Sequence, residues 1–258
     1  METDAPRSAP PGGYDEQRYN PAMRRVWPWP ALLLESVAGW MQALPGRVWL
    51  DGACGEGHLG RLIGTSKCLV GLEIDPQRLT LAQGRPYRLL LQGSLAAIPL
   101  ADASLHGIAS VETLEHVSHL DRVLKECARC LCGGGYMIVT VPSVTLRSWW
   151  QMRQTGHPVY CSEREHLREL SSVPIRGFPH MFETWKEFER RFEGHGFAIV
   201  RTGGLGFLFP MWTGRLAWVE RGMNLLYRES CNSWVGRLPI VRRFPYYRIY
   251  LLRRREAP

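Results

Sequence analysis

No uninterrupted apolar run reaches the length of about 18 residues that a membrane-spanning helix needs, so no transmembrane segment is expected in this 258-residue chain. The opening stretch METDAPRSAPPGG is polar and rich in Pro and Gly. It lacks the apolar centre of a secretory signal and is expected to be a loose tail over residues 1–13. Seven cysteines, an odd number, do not suit a disulfide framework in a chain this long. Reduced thiols and a cytoplasmic location are expected instead. Cys127, Cys130 and Cys132 have the look of half a zinc site, but no second pair accompanies them, and they fall where an amphipathic helix should end. Internal repeats are absent. So is a dense basic run joined to a recognisable RNA-binding module, which leaves nucleic acid an admissible but not favoured partner. What charge there is leans positive: 32 Lys and Arg against 24 Asp and Glu, a net +8. That admits an anionic partner, and equally a protein with a merely basic surface.

Apolar runs and turn residues alternate through the first half. VWPWP leads into a helical stretch, ALLLESVAGWMQAL, that ends near Pro45 and Gly46. Strands are expected at 48–51, 67–74, 87–91, 106–111 and 136–141, with helices starting at His58 and at Pro76, a residue suited to a helix's first turn. A further helix over 119–132 carries apolar positions Leu120, Val123, Leu124, Cys127 and Leu131, and Gly133-Gly134-Gly135 should stop it. This strand–helix rhythm predicts a doubly wound, mainly parallel sheet. After Pro142 the rhythm breaks, and residues 143–180 are read as a partly helical cap insertion. It includes Trp149, Trp150, His157, Tyr160 and Arg164, which either line a pocket or pack in a core. Order returns with a helix over 184–193, a strand at 197–202, an aromatic-rich, partly helical stretch over 205–228 and a last strand at 246–253. Residues 14–258 therefore read as one domain: a core at 46–142, the cap at 143–180, and a C-terminal part at 181–258.

The segment VWLDGACGEGHLGRLIG, residues 48–64, carries the chemistry. A strand ends at Asp51, and Gly52, Gly55 and Gly57 leave the following turn nearly bare. In an open α/β sheet such a turn lies at the ligand crevice, ahead of a helix. Alone it would equally suit a dinucleotide. Asp51, however, is ill suited to a pyrophosphate and well suited to an ammonium or hydroxyl group. The next strand ends VGLEID, which puts Glu73 where an acid holds a ribose diol. A ligand with a ribose and a cationic end, S-adenosylmethionine, meets both demands.

DGACGEG resembles the D-x-G-C-G-x-G motif of class I S-adenosylmethionine-dependent methyltransferases, with Ala53 in place of one Gly. GLEIDPQRL is similar to that family's second-strand segment and QGSLAAIPLADASLHGI to its third and fourth. VETLEHVSHLDRVLKECARCLCGGGYMIVTVPS resembles the rest of the core, over residues 46–142 in all, with an echo in HMFETWKEFERRFEGHGF. The resemblance implies an α/β, Rossmann-like, doubly wound seven-stranded sheet, mainly parallel with an antiparallel C-terminal edge strand, plus the helical cap. It implies cofactor contacts from Asp51, Gly52, Ala53, Cys54, Gly55, Gly57, Glu73, Ile74, Ser94, Leu95, Val111 and Glu112. Two positions depart from the family. Ser94 stands where an Asp contacts adenine, and His106 stands where an Asp often begins the fourth strand.

Past the fourth strand, Glu112-Thr113-Leu114-Glu115-His116 places two carboxylates and an imidazole within five residues. The arrangement resembles the E-x-x-E-H of ubiquinone-biosynthesis O-methyltransferases and of small-RNA 3′-terminal 2′-O-methyltransferases. That resemblance implies Glu112, Glu115 and His116 as ligands of a divalent metal, Mg or Zn, with His180 a fourth. The same residues also read as catalytic without a metal, with His116 the general base or a pocket residue, or as structural. The expectation is a methyltransferase, O-directed, on a small-molecule or lipid/glycan-linked acceptor. The alternatives are RNA 3′-terminal 2′-O-methylation and a non-catalytic interaction module. The Trp-, Leu- and Arg-rich C-terminal segment reads as an amphipathic helix on the sheet followed by a basic edge strand. A peripheral membrane contact is the second reading of that segment.

Overall fold

The computed structural model describes residues 29–117, 119–142, 185–205 and 247–256. The expected tail over 1–13, the cap over 143–180 with its aromatic and histidine residues, His180, and the aromatic-rich stretch beyond 205 lie outside these residues. Helix α1 (Trp29–Ala43) precedes β1 (Val48–Gly52), α2 (His58–Ile63), β2 (Cys68–Glu73), α3 (Pro76–Ala82), β3 (Leu89–Gln92) and β4 (Leu105–Ser110). A 3-10 turn (Leu114–His116) then leads to α4 (Leu120–Cys130) and β5 (Leu131–Pro142). Helix α5 (Trp185–Gly194), β6 (Phe197–Leu205) and β7 (Tyr247–Arg254) complete the sheet. Among the described residues no helix is long and apolar enough to cross a membrane.

The strand order is β3-β2-β1-β4-β5-β7-β6. Strands β1 to β5 pair in parallel, while β7 runs antiparallel to both of its neighbours. Seven strands, the parallel core and the antiparallel C-terminal strand all follow the sequence reading. The place of that strand differs: β7 lies one position in from the border, which β6 occupies. Its composition accounts for this. Tyr247 through Leu252 are all buried, an unbroken run that an internal strand covered on both faces requires and a one-sided border strand does not.

Alternation along the strands sorts side chains into two layers. Trp49, Leu69, Ala109, Ile138 and Ile249 face α1 and α2 and join Leu33, Val37, Met41, Leu59 and Ile63. Leu50, Val70, Ile108, Val139 and Leu252 face the other way and meet Val123, Leu124 and Cys127 of α4 and Phe188 and Phe192 of α5. Cys127 and Cys130 are thus core residues, fully buried on the apolar face of α4. Arg129 secures that helix from its other side. It pairs with Glu126 and Asp102 and donates to the carbonyls of Ile98 and Leu100.

The glycine triplet does something other than stop a helix. Helix α4 ends at Cys130, two residues before the expected Cys132, and Gly133–Gly135 fall inside β5. There the register against β4 jumps from Leu105↔Leu131 to Gly107↔Tyr136. Gly134, at φ +72°, supplies the backbone reversal that this bulge needs.

Candidate functional site

Strand order reverses direction between β1 and β4, which leave the middle of the sheet side by side with Asp51 opposite Ala109. Crevices open at the carboxyl ends of such a pair. Beyond β1 the chain turns sharply. Ala53, Gly55 and Gly57 have φ of +63°, +54° and +80°. The Cys54 N–H donates to the Leu72 carbonyl (3.0 Å), tying the turn to β2, and the Gly57 N–H donates to the Cys54 carbonyl (2.9 Å). An alanine accepts the left-handed conformation at a cost of about 1 kcal/mol, so Ala53 keeps the turn that Gly would make freely.

Two carboxylates flank this turn. Glu73, 6% exposed at the end of β2, accepts from the N–H groups of Gly55 (2.9 Å), Ile74 (2.9 Å) and Asp75 (3.0 Å). It therefore points at the turn and staples it. A carboxylate has about four acceptor positions, so roughly one remains for a hydroxyl. Asp51 is 3% exposed and accepts from the Tyr87 hydroxyl at 2.6 Å through Oδ2. Burial, opposed by that hydrogen bond and aided by repulsion from Glu73, pushes its carboxyl up to about 7. Burial, with the charges of Asp51 and Glu73, also pushes the Cys54 thiol well up, so it stands as an inert neighbour.

Tyr87 explains part of the bareness. A Cβ on Gly60 would lie 2.5 Å from its Cζ, one on Gly57 would lie 3.0 Å from its Cε2, and one on Gly71 would lie 3.1 Å from its Cδ1. Its hydroxyl also accepts from the Gly60 N–H at 3.2 Å. These glycines make room for a ring beneath the turn. Gly52 is bare against Leu95, whose Cδ2 would lie 2.8 Å from an added Cβ.

On the other side of the crevice, Val111 and Glu112 follow β4. Glu112 has φ +50°, its N–H donates to Thr140 Oγ1 (2.9 Å), and its Oε1 accepts from the Tyr247 hydroxyl (2.8 Å). Left-handed backbone at a non-glycine residue beside a crevice is a mark of functional sites. Glu115 is 2% exposed within the 3-10 turn and His116 is half-buried. Ser94 is half-buried and accepts from the Ala96 N–H at 3.2 Å, and Ile74 is 66% exposed at the tip of β2.

Residues 50–139 match the family model of a methyltransferase domain. A probable S-adenosylmethionine-dependent methyltransferase of Mycobacterium tuberculosis is 31% identical over 96 residues, covering 36% of this chain and 35% of the relative. A 2-phytyl-1,4-naphtoquinone methyltransferase of Thermosynechococcus vestitus is 33% identical over 104 residues, covering 37% of this chain and 46% of the relative. These matches thus span less than half of either relative. Among solved structures, an S-adenosylmethionine-dependent methyltransferase of Thermotoga maritima, described as a possible histamine N-methyltransferase, superposes with a TM-score of 0.59 at 17% identity, covering 93% of this chain and 95% of that one. The magnesium protoporphyrin IX methyltransferase of Synechocystis, solved with S-adenosylhomocysteine bound, also reaches 0.59, at 15% identity, covering 93% of this chain and 94% of that one. In sequence over residues 50–139, and in fold, this chain is thus similar to class I S-adenosylmethionine-dependent methyltransferases.

Within this core, the residues expected around the turn, Asp51 to Gly57 with Glu73, come together. Val111 and Glu112 follow β4, the strand paired with β1, and Leu95 packs against Gly52. The metal expectation gains no support from the described residues. Among them no group of three His, Cys, Asp or Glu is placed to hold a metal ion, and Glu112, Glu115 and His116 are all described. Their backbone explains it: the left-handed Glu112 directs its carboxylate to Tyr247, while Glu115 is folded inward by the 3-10 turn. The expected fourth ligand, His180, lies outside the described residues. His106 stands at the opposite end of the sheet, where its Nδ1 accepts from the Val48 N–H at 3.3 Å. Tyr87, Thr140 and Tyr247 were not foreseen as site residues. Their partners lie 36, 28 and 135 positions away in the chain, and no local pattern marks such pairs.

Proposed function

We propose that this chain is an S-adenosylmethionine-dependent methyltransferase, O-directed, acting on a small-molecule or lipid/glycan-linked acceptor. The observation that carries the reading is the pair of buried, mutually repelling carboxylates, Asp51 and Glu73, on either side of a bare left-handed turn at the sheet's switch point. Such a site is incomplete without a cation and a hydroxyl donor. S-adenosylmethionine offers an ammonium for Asp51 and a ribose diol for the remaining acceptor capacity of Glu73. When bound, the cofactor supplies an electrophilic methyl group on a sulfonium. The chain aligns it: Glu73 holds the turn closed on β2, and the left-handed turn lets the backbone approach closely.

An acceptor hydroxyl must also lose its proton. Glu112 and His116 are the titratable side chains past β4 that would take it, without a shared metal. Two matched relatives are named for a phytyl naphthoquinone and a sterol, which supports a lipid-like acceptor. Although the sterol relative is named a C-methyltransferase, a 27-O-demethylrifamycin SV methyltransferase among the relatives supports oxygen as the acceptor atom. The RNA-terminal alternative drew its support from a converging metal set, which the geometry of Glu112, Glu115 and His116 does not provide.

Calorimetry with S-adenosylhomocysteine is the first test. Absence of binding would favour the non-catalytic module. Next, transfer of an isotope-labelled methyl to glycan and lipid acceptors, read by carbon NMR, separates oxygen-bound from carbon-bound products. His116→Ala should leave S-adenosylhomocysteine affinity unchanged and lower kcat by about 100-fold or more. An unchanged kcat would remove His116 from the chemistry.

A further inference from the structure

Among the described residues, Tyr87 both donates a hydrogen bond to the Asp51 carboxylate and is enclosed by glycines of three different elements. A Cβ on Gly60 of α2 would overlap its ring at 2.5 Å, and one on Gly57 of the turn or Gly71 of β2 would press against it at 3.0 and 3.1 Å. The ring is therefore fixed in place. Its hydroxyl sits between two partners, accepting from the Gly60 N–H (3.2 Å) and donating to Asp51 Oδ2 (2.6 Å). Once the Gly60 N–H has occupied one lone pair, the hydroxyl proton is left to point at Asp51. The direction of the bond is thereby set by the fold.

We propose that Tyr87 is a positioning residue for the cationic end of the cofactor: its hydroxyl locks the Asp51 carboxylate so that Oδ1, the oxygen it does not engage, is presented to the ligand's ammonium. This rests on the reading of the site as one for S-adenosylmethionine. The titratable groups that bear on Asp51 among the described residues are Tyr87 itself, Glu73 from β2 and Cys54 from the turn. Glu73 opposes ionisation of Asp51, and Tyr87 favours it by donating to the charged form. Loss of the hydroxyl therefore leaves Asp51 both freer to rotate and harder to ionise. Asp51 bears on the amino-acid end of the cofactor and Glu73 on the ribose, so the effect is confined to one part of the ligand.

The test uses two probes that share adenosine and differ at the other end: S-adenosylhomocysteine, with its ammonium, and 5′-methylthioadenosine, which has none. Tyr87→Phe keeps the ring in its glycine enclosure and removes only the hydroxyl. It should weaken S-adenosylhomocysteine roughly tenfold and leave methylthioadenosine within about twofold of the unsubstituted protein. The pH at which S-adenosylhomocysteine affinity is half-maximal should move upward. Gly60→Ala displaces the ring and takes away its seat, and should give the same selective loss. In an Asp51→Asn background, Tyr87→Phe should change neither affinity further. Equal losses for both probes, or no loss for either with an unmoved pH profile, would overturn the assignment and leave Tyr87 a packing residue. Failure of the unsubstituted protein to bind either probe would overturn the cofactor reading itself, and the role of Tyr87 with it.

Discussion

Asp51 and Glu73 are both acids at strand ends, yet the structure gives them different work. Glu73 uses most of its acceptor capacity on backbone N–H groups of its own corner, so Glu73→Gln should loosen the turn and, with it, the ribose contact proposed above. S-adenosylhomocysteine and methylthioadenosine should then weaken alike, by roughly tenfold, in titration calorimetry. A selective loss would show that Glu73 does not serve the ribose. Asp51 makes a separate prediction about pH. Its carboxyl rises from an ordinary 3.8 to about 7 because it is buried. The native state then binds a proton more tightly than the unfolded chain. The stabilisation is complete below pH 4 and is lost as pH climbs to 7, by on the order of 4 kcal/mol. Asn cannot titrate, so the difference in unfolding free energy between the native sequence and Asp51→Asn should fall across that window. Saturating S-adenosylhomocysteine should flatten the fall by favouring the charged carboxylate. A difference that stays level with pH without ligand would mean that Asp51 is solvated. These two acids were legible in the sequence because a strand end is a position that hydrophobic pattern alone can fix. Tyr87 was not, since its importance lies in three glycines that reach it from other elements.

At the scale of elements, the long α4 and the strand after it show where local pattern succeeds and where it is overruled. The spacing of Leu120, Val123, Leu124 and Cys127 identified the buried face correctly. The three glycines after it carried a helix-stop signal, but parallel pairing to β4 drew them into β5 as a bulge, because the ladder bonds of the following residues extend back past them. Helix α5 illustrates the energetic side. Phe192 is fully buried, stacks on Phe188 with centroids 6.0 Å apart and meets the edge of Tyr250 of β7 at 5.4 Å. Phe192→Ala should cost about 3–5 kcal/mol, since the transfer free energy and the unfilled cavity add. Urea unfolding followed by circular dichroism would show it as a lower midpoint. A loss under about 1 kcal/mol would mean that α5 is dispensable to the sheet.

For the molecule as a whole, the strand count and the parallel core followed from rhythm, because each strand–helix unit is read within a few tens of residues. Strand order near the C-terminus did not, because it depends on pairing between segments far apart in the chain. The decisive clue is chemical: Tyr247 to Leu252 are apolar or aromatic on both faces apart from Arg248, which is itself buried. Strand β7 is thus the bridge between β5 and β6, and it also carries the tyrosine that holds Glu112 at the crevice. A border strand can be removed with modest loss, whereas an internal one leaves two neighbours with unpaired backbone groups and two apolar layers uncovered. A chain ended after residue 246 should therefore lose cooperative unfolding altogether. Hydrogen exchange should show protection vanishing from β6, whose pairing is with β7, and falling in β5, which keeps only β4. A truncated protein that still unfolds in one sharp transition near the full-length midpoint would show that β7 lies outside the cooperative unit, and that Glu112 must owe its position to Thr140 instead.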